Sequence, residues 1–155
     1  MSNALHRELR QRKPFTSLAQ EAHLSVSRTA AVLAERFEEL LKPHGISPTQ
    51  FNVLRILRGA EPDGLCRHEI KARLLSRMPD VTRLLDRMET AGLVVSERSS
   101  ADRREVSTRL TARGRELVDA LDEPVAAEHE RRFGRLGEDD LRALVQLLAE
   151  VRQAA

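Results

Sequence analysis

The sequence predicts a mainly α-helical chain that carries one small β-hairpin. Leu and Ala, at 23 and 18 residues, outnumber the β-branched Val and Ile, at 11 and 3, in a chain of 155. Apolar residues recur at helical spacing through most of the length, and the spacing turns to alternation only between residues 93 and 110. A hydrophobic content of 41% supports a packed core, and the length fits a single domain.

Val26, Thr29, Ala30, Leu33, Phe37, Leu40 and Leu41 place a first long helix over about residues 17–42, stopped at Pro43-His44-Gly45. The next segment opens with a full set of start signals. Ser47 is the N-cap, Pro48 takes the first helical position, Gln50 closes a capping box, and Ile46 and Phe51 are spaced as a hydrophobic staple. That helix runs to about Arg58 and ends at Gly59 and the Pro62-Asp63-Gly64 turn. A third helix is expected from Arg67 to Leu75, with Glu69 at the N3 position and Cys66 at the cap, where Ser or Thr is usual. A fourth begins near Arg77 with Pro79 at its first position and Asp80 beside it, where a negative charge complements the helix dipole, and ends at Gly92. Val81, Leu84, Leu85 and Met88 fall on one face. Thr82, Arg83, Asp86 and Thr90 fall on the other, flanked by Arg87.

Residues 93–98 and 106–110 read as two short strands around a polar loop, Ser99 to Glu105. Thr111 caps a fifth helix, which Pro124 kinks or restarts. After Leu136 a last helix carries the apolar stripe Leu141, Leu144, Val145, Leu148 and Val151.

Several classes are excluded early. The longest apolar run, Ala30 to Ala34, is far short of the ~20 residues that cross a bilayer, so no membrane partner is expected. The first twenty residues carry Arg7, Glu8, Arg10, Arg12 and Lys13 without an apolar core, so no secretory signal is expected. One cysteine, Cys66, fits a reducing compartment, and the reading is cytoplasmic. Four Phe with no Trp or Tyr argue against modules that stack single-stranded bases. Dinucleotide, P-loop, nucleophile-elbow and zinc-protease motifs are missing, which argues against an enzyme, and no cofactor is implied. His6, His23, His44, His68 and His129 lack the spacing of a ligand pair, so no metal site is expected.

The net charge of +2 hides an asymmetry. Residues 65–115 hold twelve basic and seven acidic side chains, whereas residues 116–155 hold five basic and ten acidic. A basic middle beside an acidic end suggests a polyanion-binding segment on a scaffold that does not bind polyanions.

Two short helices, a helix with a polar outer face and a basic hairpin together describe a winged helix-turn-helix. A major groove about 12 Å wide accepts one helix, and the hairpin tip then lies against the backbone or in the neighbouring minor groove, where arginine is favoured. Residues 78–114 resemble the MarR family of transcriptional regulators through three features in order. These are the Thr82-Arg83-Leu84-Leu85-Asp86-Arg87 helix, the Asp102-Arg103-Arg104 wing, and Leu110-Thr111 followed by Gly114. With its flanking helices, the resemblance covers about residues 17–153.

The resemblance implies a homodimer on a pseudo-palindromic double-stranded operator, with a winged lobe over 47–114 and helical dimerisation regions over 1–42 and 116–155. The apolar faces of the terminal regions either form that interface or complete an intrachain core, and dimerisation is the favoured reading. By the same resemblance Arg104 is the minor-groove arginine, held by Asp86, and Asp102 orients the wing. Thr82 and Arg83 are candidates for base edges. Arg77, Arg87, Arg98 and Arg103 are candidates for phosphates, with Pro79 opening the recognition helix.

Family members respond to small aromatic acids, lipophilic compounds, oxidants or metals, so a small aromatic or lipophilic effector is expected, near Arg28, His44 and Phe51. Cys66, beside Arg67 and His68 at a helix start, is either a small structural side chain, the favoured reading, or a redox-responsive thiol. The remaining alternative is a sequence-tolerant architectural DNA protein, although the wing offers no apolar wedge.

Overall fold

The computed structural model describes residues 4–77, 80–98 and 106–153. Its elements in chain order are α1 (Ala4–Glu8), α2 (Leu18–Leu41), a 3-10 turn (Lys42–His44), α3 (Pro48–Arg58), β1 (Leu65–Cys66), α4 (Arg67–Arg73), α5 (Val81–Thr90), β2 (Val94–Arg98), β3 (Val106–Leu110), α6 (Ala112–Ala120), α7 (Asp122–Phe133) and α8 (Glu138–Gln153). The chain divides into two compact units, Met1–Pro48 and Thr49–Ala155. Among the described residues no helix is long and apolar enough to cross a membrane.

In the first unit, Ser17 caps α2 by accepting the Gln20 amide at 3.1 Å. The Gln20 side chain in turn accepts the Thr16 amide and hydroxyl at 2.7 and 3.0 Å. The helix passes into the 3-10 turn and stops at Gly45, whose φ of 70° is left-handed. The short α1 has no counterpart in the sequence reading. Five residues give too little periodicity to register, and buried Leu5 is its only buried side chain. Its loop is held by a 3.1 Å bond between His6 Nε2 and the Lys13 carbonyl and an edge-on contact of His6 with Phe15.

The second unit is built around Phe51, Val53, Leu54 and Leu57 of α3, Ile70 of α4, four residues of α5, Leu93, Val94, Val118 and Leu121, all buried. Its sheet has three strands rather than the expected two, in the order β1-β3-β2 and antiparallel throughout. Leu65 pairs with Thr108 and Cys66 with Ser107. A two-residue strand has no alternation to read, so β1 is visible only through its partner. Gly64, at φ 75°, makes the approach possible, since an added Cβ would lie 2.6 Å from the Thr108 carbonyl oxygen. The Asp63 carbonyl then accepts from Ser107 Oγ at 2.9 Å and Arg109 Nε at 3.2 Å, tying this turn to β3.

Other boundaries differ from expectation. α4 ends at Arg73, two residues early, because Leu74 turns to an extended conformation. Pro124 does restart the helix: α6 stops at Ala120 and Pro124 falls in the first turn of α7, where its missing amide leaves no bond unmade.

The exit from the sheet explains the Leu-Thr-x-x-Gly spacing. Thr111 Oγ1 accepts the Gly114 amide at 3.0 Å, capping α6, and donates to the Gly92 carbonyl at 2.6 Å. Gly114 is buried so closely on the Leu93 carbonyl that an added Cβ would overlap its oxygen. Gly114→Ala is expected to lower stability by about 1–3 kcal/mol through this overlap. Chemical denaturation followed by circular dichroism checks it, and an unchanged midpoint would mean that the approach is not tight.

Candidate nucleic-acid interface

α5 begins at Val81, with Asp80 as its N-cap, rather than near Arg77 with Pro79 at its first position. The physical reason is the Asp80 carboxylate, which accepts the Arg83 amide at 2.9 Å and so caps the helix at its N3 donor. Pro79 itself lies outside the described residues. At the other end, Leu93 N donates to the Met88 carbonyl and Gly92 N to the Glu89 carbonyl, both at 2.9 Å, with Gly92 at φ 71°. This is a Schellman closure, and it turns the chain directly into β2.

Both faces of α5 are as the spacing requires. Val81, Leu84, Leu85 and Met88 are buried. Thr82 is half-buried, and Arg83, Asp86, Arg87 and Thr90 are exposed. The Arg83 side chain is 84% exposed, with only a 3.9 Å approach to Asp80, so its guanidinium is available to an incoming anion. Thr90 Oγ1 is turned back to the Asp86 carbonyl at 2.9 Å. Glu89 accepts the Ser96 amide at 2.9 Å and fixes β2 against the helix.

Arg77 lies in the turn before α5, exposed. It lines an open groove of about 770 Å³ with His68, Lys71, Ala72, Leu74, Leu75 and Ser76. From the sequence His68 was read only as an ordinary histidine beside Cys66, and Lys71 was given no role, although their i, i+3 spacing on α4 places them on one face. The turn is held by the Asn52 side chain, which accepts the Leu75 amide at 3.0 Å, and Leu75 is 89% exposed.

On the hairpin, Arg98 ends β2, opposite Val106, and is exposed. Arg109 is committed to the Asp63 carbonyl and approaches Glu97 at 3.8 Å, so it serves the sheet. Asp102, Arg103 and Arg104 lie outside the described residues, and with them the expected hold of Asp86 on Arg104.

The expected effector residues are dispersed in role. Arg28 Nε is 3.7 Å from Glu8, His44 is exposed at the end of the 3-10 turn, and Phe51 is buried in α3. Cys66 is partly exposed and sits at the N-cap of α4, where its amide donates to the Glu69 carboxylate at 2.9 Å. That bond holds the Glu69 carboxyl below the usual carboxylate range. Among the described residues no group of three His, Cys, Asp or Glu side chains is placed to hold a metal ion.

Comparison with known proteins agrees with this geometry. Residues 44–105 match the model of the MarR family. The chain is 36% identical over 107 residues to the uncharacterised HTH-type transcriptional regulator YkoM of Bacillus subtilis, a match that covers 69% of this chain and 68% of that protein. The crystal structure of a MarR transcription factor from Planctomyces limnophilus is 39% identical, with a TM-score of 0.66, and the match covers 88% of this chain and 98% of that one. The transcriptional repressor CouR, solved bound to a 23-mer DNA duplex, is 30% identical with a TM-score of 0.76, over 92% of this chain and 99% of its own. A winged lobe with α5 capped by Asp80, and relatives that are regulators rather than enzymes, lead to one conclusion: the chain belongs to the MarR family of transcriptional regulators.

Proposed function

We propose that the chain is a homodimeric repressor that reads a pseudo-palindromic operator, with α5 in the major groove and the 99–105 loop at the flanking minor groove. One observation carries this: α5 buries Val81, Leu84, Leu85 and Met88 while presenting Arg83, Asp86 and Arg87 outward. A helix so divided fills a groove with its polar face and keeps its apolar face on the lobe. The 30% identity to CouR, a repressor solved on duplex DNA, supports the same reading. Thr82 and Arg83 then read base edges, Arg77, Arg87, Arg98 and Arg103 contact phosphates, Arg104 enters the minor groove, and Asp86 and Asp102 orient the wing.

Residues 1–42 and 116–155 form the dimer interface in this proposal. Its support is apolar surface that the chain leaves uncovered: Leu18 and Val26 in α2, and Val145, Leu147 and Val151 in α8, where no residue is buried. A symmetric dimer brings each such face onto its own copy. Release by a small aromatic or lipophilic effector, with Arg28, His44 and Phe51 as its candidate contacts, rests on the family resemblance. Screening such compounds for loss of operator binding tests it.

Operator selection from random duplexes, followed by competition of the selected site against random DNA at fixed salt, tests the regulator against an architectural DNA protein. On the selected site Arg83→Ala is expected to cost about 1–3 kcal/mol and to relax preference at one position per half-site. Uniform weakening on all sequences would make Arg83 a phosphate contact. Arg104→Ala is expected to weaken operator binding with no change in Tm, and unchanged affinity would remove the wing from recognition. The double variant Val145→Asp/Val151→Asp is expected to sediment as a monomer with helical content retained, and an intact dimer would place the interface elsewhere.

A further inference from the structure

Arg58 closes the last turn of α3, and its single guanidinium holds both sides of the break between α6 and α7. Nη1 donates to Asp119 Oδ1 at 2.7 Å, one residue before the end of α6, and to Asp122 Oδ2 at 2.9 Å. Nη2 donates to Asp122 Oδ1 at 2.8 Å, so the first residue of α7 is gripped bidentately. Arg115 extends the cluster, with Nε 3.0 Å from Asp119 Oδ2 and an ion pair to Glu61 in the loop after α3. The Arg58 hydrogen bonds hold both aspartate carboxyl groups below the usual carboxylate range.

On α3, Arg55 also acts on Asp122 through its charge, but among the described residues the three hydrogen bonds from α3 to Asp119 and Asp122 all come from Arg58. Leu121, fully buried, ends α6 and precedes α7 at φ −89° and ψ −9°. Val118 and Val125 are buried on either side of it. Apolar side chains fix where the break sits, while burial is non-directional and leaves the angle between the two helices less determined. A planar fork with three hydrogen bonds to two helices supplies direction. Surface ion pairs are worth at most about 1 kcal/mol each, so orientation, more than stability, is what this cluster is suited to provide.

We propose that Arg58 is a positioning residue. It fixes the angle at which α7 leaves the winged lobe, and through that angle the separation of the two recognition helices and the half-site spacing the operator must have. The effect on spacing rests on the homodimer proposed above; the effect on the angle concerns a single chain.

The variants are Arg58→Met, which keeps the stem and removes the fork, Asp122→Asn, which weakens the bidentate partner, and Arg58→Lys, which keeps only the charge. Spin labels at Ala72 in α4 and Ala127 in α7, in a Cys66→Ser background diluted with unlabelled chain, read the angle directly. The native protein is expected to give one narrow distance. Arg58→Met and Asp122→Asn are expected to broaden or shift it, and Arg58→Lys to recover it in part. An unchanged distribution in both of the first two variants overturns the proposal. The second readout is affinity for operators whose half-sites are moved by one base pair. The native protein is expected to lose about tenfold and Arg58→Met about threefold or less, on the scale of a single mismatched pair. If Arg58→Met keeps the native spacing profile while its Tm falls, the cluster is merely structural. A flat native profile with a monomer by sedimentation would overturn the dimer and the spacing effect, with the label distances still deciding the angle.

Discussion

The architecture depends on how closely α6 approaches the carbonyl of Leu93. At this point α5 has just closed, β2 is about to begin, and α6, the helix leaving the lobe, starts. The Leu93 amide serves the end of α5, its carbonyl accepts the Thr111 amide at 3.2 Å, and the Gly114 backbone lies directly against it. Three elements are thus referenced to the two peptide groups that flank one residue. A displacement here would move α5, the hairpin and α6 together. Groove recognition tolerates little such drift, because a reading side chain must meet its base edge within hydrogen-bond distance.

Much of this was legible in the sequence because local chemistry and tertiary contact agree. Gly92 is needed for its left-handed backbone, Thr111 for its hydroxyl and Gly114 for its missing side chain, and each requirement leaves a residue type in a fixed position. The faces of α5 were equally plain, since their period is that of the helix. The start of α5 was misread because Pro79 and Asp80 are both good first-turn residues, and only the bond from the Arg83 amide distinguishes cap from first position. β1 was missed because two residues carry no pattern and its pairing partner lies more than forty positions away.

Charge was harder to read than shape. The basic excess of residues 65–115 pointed to a polyanion surface, yet its arginines do different work. Arg109 bonds the Asp63 carbonyl and Arg115 lies among Glu61 and Asp119, whereas Arg83, Arg87 and Arg98 stand exposed. Composition counts all five alike. Arg58, outside the basic segment, drew no attention, because an arginine at a helix end is unremarkable until Asp119 and Asp122, some sixty residues on, are seen beside it.

The strand order has a consequence for how this lobe can vary. β3 is the central strand, bonded on one side to β1 and on the other to β2, and its residues Ser107 and Arg109 are further tied to the turn at Asp63. The strand that rises from the wing therefore stays anchored whatever the tip contains. β2, at the edge of the sheet, is bonded to α5 through Glu89 and Ser96, whereas β3 is held from both sides, so a shift of β2 reaches the helix directly and a shift of β3 is shared with β1 and the Asp63 turn. Variation in this lobe is therefore better tolerated along β3 than along β2, where any change of register is felt at once in α5.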